Sequence, residues 1–153
     1  MMKRSPFRLC LCGALIAALL AFIWGNSLLP GEDSGELSGF VGAMLQALFP
    51  FLDLGSEKAM HLLRKLAHFT EFAALGMSFT WLWAMMIREH LPRIALPFLC
   101  GTSAAAIDET IQLFSPDRGP SIKDVALDAS GVLFGVLLLT LLHCLLCKNR
   151  TVC

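Results

Sequence analysis

The sequence predicts an all-α polytopic membrane helical bundle, with about four transmembrane helices and a short interfacial or re-entrant helix. Three observations carry that prediction. Hydrophobic residues make up 56% of the 153-residue chain and charged residues only 16%, with a mean hydropathy of +0.69. Soluble domains hold roughly 45–50% apolar and about 25% charged residues. Four apolar stretches each supply the roughly 20 residues that cross a bilayer as helix. The polar residues within them gather at corresponding ends instead of being spread over both. A balance of 12 Lys+Arg against 12 Asp+Glu leaves no basic surplus for nucleic acid. The apolar excess also excludes a disordered chain, and the length suits one domain over residues 1–153.

The first span runs from about Leu9 to Leu29, preceded by Lys3, Arg4 and Arg8. A basic start followed by an apolar run is shared with signal peptides, but no small-x-small cleavage pattern stands out after it, so a retained span is expected. Polar residues from Gly31 to Glu36 read as loop. Phe40 to Phe49 is apolar but too short to span, which suits an interfacial or re-entrant helix interrupted by Pro50. The second span is roughly Leu66 to Ile87, the third Ile94 to Phe114, and the fourth Val125 to Leu146, closed by Lys148 and Arg150. Trp81, Trp83, Met85 and Met86 read as interfacial anchors. Gly131-x-x-x-Gly135 reads as close helix packing. The six cysteines do not form a disulfide framework. Cys10, Cys12 and Cys100 lie inside apolar runs, and Cys144-x-x-Cys147 has no second pair with which to bind zinc.

Basic flanks orient the spans. With both termini cytoplasmic, Lys3, Arg4, Arg8, Arg88, Arg93, Lys148 and Arg150 lie inside, against Lys58, Arg64, Lys65, Arg118 and Lys123 outside. This predicts a multi-pass protein of the cell membrane. Span two then begins outside with Lys65, His68 and Glu71 on one helical face. Span three ends outside with Asp108, Glu109 and, one turn on, Gln112. A turn holding Arg118 leads to the stripe Ser121, Asp124, Asp128 at the start of span four. A charge near the bilayer centre costs roughly 2.5–3.5 kcal/mol or more. Ten such residues delivered to one leaflet by three separate segments therefore predict a polar pocket.

Each residue has a plain reading beside the functional one. His68 reads equally as a general acid/base near neutrality or as a histidine bonded to a neighbouring carboxylate. Asp108 and Glu109 diverge by about 100° on a helix. They are acid and base, metal ligands, or salt partners of Lys65 and Arg118. His68, Asp108, Glu109 and Asp124 offer donors for Mg²⁺ or Mn²⁺. No paired-histidine spacing supports a metal, so neither metal nor cofactor is expected. No nucleophile signature is present, and Ser121 has no base beside it in sequence.

At these residues the chain resembles the VanZ-like family of small membrane proteins. The resemblance covers roughly Phe22 to Leu139. It lies in Lys65-x-x-His68-Phe69-x-Glu71-Phe72, Asp108-Glu109-x-x-Gln112-x-Phe114, Pro116-x-Arg118-x-x-Ser121-x-x-Asp124 and Asp128-x-x-Gly131-x-x-x-Gly135, with a looser match around Asn26-Ser27. It implies a connection to low-level resistance to the glycopeptide teicoplanin, and no defined reaction. The leading expectation is an outer-leaflet pocket that binds or modifies an anionic amphiphile, such as a lipid-linked envelope precursor or a lipoglycopeptide. His68, Asp108 and Glu109 are the residues fit for catalysis. Lys65, Glu71, Gln112, Arg118, Ser121, Asp124 and Asp128 are those fit for ligand contact. The competing expectation is a non-enzymatic accessory or structural subunit. A transporter built from a homo-oligomer ranks third, because four spans carry no internal repeat.

Overall fold

The computed structural model describes residues 5–28, 57–87, 89–115 and 121–148. Every element among them is helical: α1 Pro6–Leu28, α2 Glu57–Met86, α3 His90–Gln112 and α4 Ile122–Lys148. Three are long and apolar enough to cross a membrane: α1, α3 over Leu91–Gln112, and α4 over Ile122–Leu146. The 30 residues of α2 make a helix about 45 Å long. Its first half carries Lys58, Arg64, Lys65 and Glu71, whereas Phe72 to Met86 holds no charge. The expected spans all fall on these helices, but the helices start earlier than the apolar runs, at 57 instead of 66 in α2. The short helix expected over Phe40–Phe49 lies outside the described residues, and so does Arg118.

Local sequence explains where the helices begin. Pro6 occupies the first helical position of α1, where a missing N–H costs nothing, and the Ser5 carbonyl accepts the Leu9 N–H at 3.2 Å. The Ser121 carbonyl accepts the N–H of Asp124 (2.9 Å) and of Val125 (3.2 Å) as α4 starts. Asp124 lies in that first turn, where the helix dipole favours a negative charge.

Helices α1, α3 and α4 each bury one narrow stripe, whereas α2 buries residues on several sides. In α1 it is Cys12, Ile16, Ile23 and Ser27, while Phe7, Leu11 and Phe22 are exposed. In α3 the stripe runs through Pro97, Ala104, Ala105, Asp108 and Glu109, and in α4 through Asp128, Val132 and Val136. These spacings follow the 3.6-residue helical period. The outward faces stay apolar, with Leu99, Ile107, Leu133, Leu137 and Leu141 exposed. Such a surface suits lipid as solvent.

α2 and α4 make the most extensive helix contact; α1 packs across α2 and α3. Glycine makes the α2–α4 approach possible. A Cβ on Gly131 would lie 2.5 Å from the Phe69 carbonyl oxygen, and one on Gly76 would lie 2.5 Å from that of Val132. The Phe69 and Phe134 rings meet beside this seam at 5.7 Å. Trp24 Nε1 ties α1 to α3 by donating to the Ala104 carbonyl at 3.4 Å. Met85, expected as an interfacial anchor, is instead part of the buried core with Phe72, Leu75 and Val132. The described cysteines Cys10, Cys12, Cys100 and Cys144 are all free thiols, and Cys12 is the buried one.

Candidate functional site

The antiparallel packing brings the first half of α2, the last turns of α3 and the first turns of α4 to one end of the bundle. Periodicity then decides which side chains turn inward. His68 and Glu71 are one turn apart on α2, and their side chains are 13% and 17% exposed. Asp108 on α3 is fully buried, and Asp128 on α4 is 2% exposed. A ring nitrogen of His68 and one carboxylate oxygen each from Asp108 and Asp128 all lie within 4.8 Å of one another. Glu71 Oε2 is 3.8 Å from His68 Nδ1, within ion-pair range but too far for a hydrogen bond.

A ring of ties surrounds this inner group. Gln112, one turn beyond Asp108, donates to Asp108 Oδ2 at 2.9 Å and reaches Ser27 Oγ of α1 at 3.4 Å. Ser115 Oγ donates to the Ser27 carbonyl at 2.7 Å. Glu109 is also buried, and its Oε2 accepts the Ser121 N–H at 2.8 Å, a carboxylate set at the start of α4. Lys65 Nζ pairs with Asp124 Oδ1 at 2.8 Å, each side chain 37% exposed. Burial lowers the Arg64 guanidinium from its ordinary range, and the nearby Asp124 charge offsets part of that effect.

Nine of the ten residues expected at the pocket therefore fall at this end of the bundle. Arg118 lies outside the described residues. The nine are not equivalent. His68, Glu71, Asp108 and Asp128 form the inner group, Gln112 and Glu109 brace it, and Lys65, Asp124 and Ser121 stand at the rim. Asp108 and Glu109 diverge as adjacent helical residues must, yet both are buried, because α1 covers one side and the start of α4 covers the other. Asp128 lies within electrostatic range of four further carboxylates, those of Asp108, Glu109, Asp124 and Glu71. An imidazole among buried carboxylates is equipped to move a proton or to hold a cation.

Residues 12–143 match the sequence pattern of the VanZ/LLP1 family. The chain belongs to that family. Neither the curated proteins nor the solved structures include a match to it. The VanZ match spans every residue of the inner group and the rim.

Two features of this VanZ protein escape sequence reasoning. Ser27 and Ser115 anchor α1 to the end of α3; the looser family match around Asn26-Ser27 flags Ser27 without its partner, and Ser115 carries no signal beyond a polar residue at the edge of an apolar run. A cavity of about 590 Å³ lies toward the opposite end, lined by Leu19, Met77, Trp81, Arg93, Ile94 and His143 among others. Nothing in the spacing of those residues announces a cavity, since it is space left between apolar helices.

Proposed function

We propose that this VanZ protein crosses the cell membrane four times with both termini cytoplasmic, and that its polar end binds an anionic envelope amphiphile at the outer leaflet. The ligand class is a lipid-linked envelope precursor or a lipoglycopeptide, which would connect the protein to glycopeptide resistance of the teicoplanin kind. One observation carries this reading. Three helices bury His68, Asp108, Glu109 and Asp128 together, in a chain whose apolar surface otherwise suits lipid. Polar groups at such depth are costly and rarely persist without a use. Lys65 and Arg64 give the rim its positive charge for a phosphate or carboxylate headgroup. If the headgroup is also cleaved or transferred, His68 between carboxylates is the group placed to carry the proton.

The second reading is an accessory or structural subunit. It is favoured by the ties Gln112–Asp108, Gln112–Ser27, Ser121–Glu109 and Lys65–Asp124, which join all four helices. Native mass spectrometry of protein extracted from its own membrane separates the two. The ligand reading expects a copurified anionic lipid that His68→Ala and Lys65→Ala lose while the amount of protein in the membrane holds. If both variants instead disappear from the membrane, the polar end is scaffold and the accessory reading stands.

A further inference from the structure

We propose that His68, Asp108 and Asp128 form a binding site for one divalent cation of the Mn²⁺ or Zn²⁺ type. The first support is geometric. One imidazole nitrogen and two carboxylate oxygens, from α2, α3 and α4, lie within 4.8 Å of one another. Metal–ligand bonds of about 2.0–2.2 Å put the ligands of a tetrahedral ion roughly 3.4 Å apart, so inward side-chain movements of at most about 1 Å complete the site. A single imidazole with carboxylates selects Mn²⁺ or Zn²⁺ over Ca²⁺, which takes oxygen alone.

The second support is Asp128 itself. It is 2% exposed, and no other described residue gives it a hydrogen bond or an ion pair. A buried carboxylate left so is costly by several kcal/mol, and here Asp108, Glu109, Asp124 and Glu71 add like charge around it. The Lys65 ammonium is engaged by Asp124 at 2.8 Å. A dication at the centre of the His68–Asp108–Asp128 triangle would give Asp128 the counter-charge it lacks among the described residues.

The third support is the surrounding shell. Ligands of bound metals are held in place by outer hydrogen bonds. Gln112 holds Asp108 in this way at 2.9 Å. Glu71, with its buried Oε2 3.8 Å from His68 Nδ1, is placed to orient the imidazole or to enter as a further oxygen ligand. The glycine contacts between α2 and α4 fix the backbones that carry His68 and Asp128.

The cation site stands on this cluster alone. Its link to an anionic headgroup rests on the proposed function: a dication would supply the positive charge that the surrounding carboxylates otherwise deny to a phosphate. The test uses the full chain in detergent, stripped with a chelator and titrated with Mn²⁺ while electron paramagnetic resonance follows the free ion. Expected is uptake of about one ion per chain, weakened at least about tenfold in His68→Gln and in Asp128→Asn. Lys123→Gln, an exposed change outside the cluster, should bind as the wild type does. The metal should also raise the unfolding temperature of the wild type and leave that of Asp128→Asn unmoved. The proposal is overturned if the wild type takes up neither Mn²⁺ nor Zn²⁺ at micromolar concentrations, a result that needs no variant to fold. Uptake equal in wild type and both variants also overturns it, since the ion would then sit elsewhere. A protein that binds Mn²⁺ but carries no anionic lipid upholds the cation site and removes the ligand reading.

Discussion

The Lys65–Asp124 pair contributes little at the residue scale: both side chains are 37% exposed, and ion pairs so placed are screened by solvent. The consequential residues are the covered ones, His68, Asp108 and Asp128. Arg118 is expected to join them on the sequence alone. In sequence it stands between Pro116 and Pro120, three residues before Ser121. If it grips a phosphate or carboxylate in bidentate fashion, Arg118→Lys should lose activity in an envelope-stress or resistance assay nearly as fully as Arg118→Ala. Protein levels in the membrane should hold in both variants. Full activity in Arg118→Lys would dispose of the fork. Much of this site is legible in the sequence because helical spacing alone puts Lys65, His68 and Glu71 on one face, and likewise Asp108 with Gln112. Pairings across helices are not legible. Ser27 meets Gln112 and Ser115 from a distant part of the chain, and a serine at a span edge reads the same whether bonded or solvated.

Apolarity finds the helices themselves, and it is a poor guide to where a helix starts. The apolar run of span two begins at Leu66, yet α2 is already helical at Glu57, because charged residues are as able as leucine to continue a helix outside the hydrocarbon. Gly131-x-x-x-Gly135 is the packing motif its spacing suggests, but its partner surface on α2, Phe69 to Gly76, carries no motif of its own. The contact makes a sharp prediction. A methyl group on Gly131 would lie 2.5 Å from the Phe69 carbonyl oxygen, backbone that cannot swing aside as a side chain can. Gly131→Ala should therefore push α4 from α2 and destabilise the bundle by about 1–3 kcal/mol. On α1, a methyl group added to Gly13 would meet nothing within 4 Å. Gly13→Ala should be neutral or stabilising by about 0.4–1 kcal/mol. Thermal unfolding in a single detergent compares the two. Equal effects would mean that the glycine seam is not what holds α2 against α4.

For the whole molecule, the number of crossings turns on α2. Three helices satisfy a membrane on length and composition, and α2 falls short because it carries much of the polar end. The crossing proposed for it rests on the architecture. It has the length, its charge-free half from Phe72 to Met86 packs between α1 and α4, and leaving it out would strand the buried faces of both. Four crossings put the start of α2, the end of α3 and the start of α4 on the same side. The proposed topology takes that side as the exterior, because the basic residues Arg8, Arg93 and Lys148 lie toward the other end. A chain with its six cysteines replaced tests both statements, using single cysteines at two exposed positions. Lys123→Cys, beside the polar end, should react in intact cells with a maleimide that cannot enter. Leu91→Cys, at the start of α3, should react only after the cells are opened. The reverse pattern would carry the polar end, and any ligand it binds, to the inner leaflet. Reaction of both in intact cells would mean that α3 does not cross, and the antiparallel arrangement that assembles His68, Asp108 and Asp128 could not then straddle a bilayer.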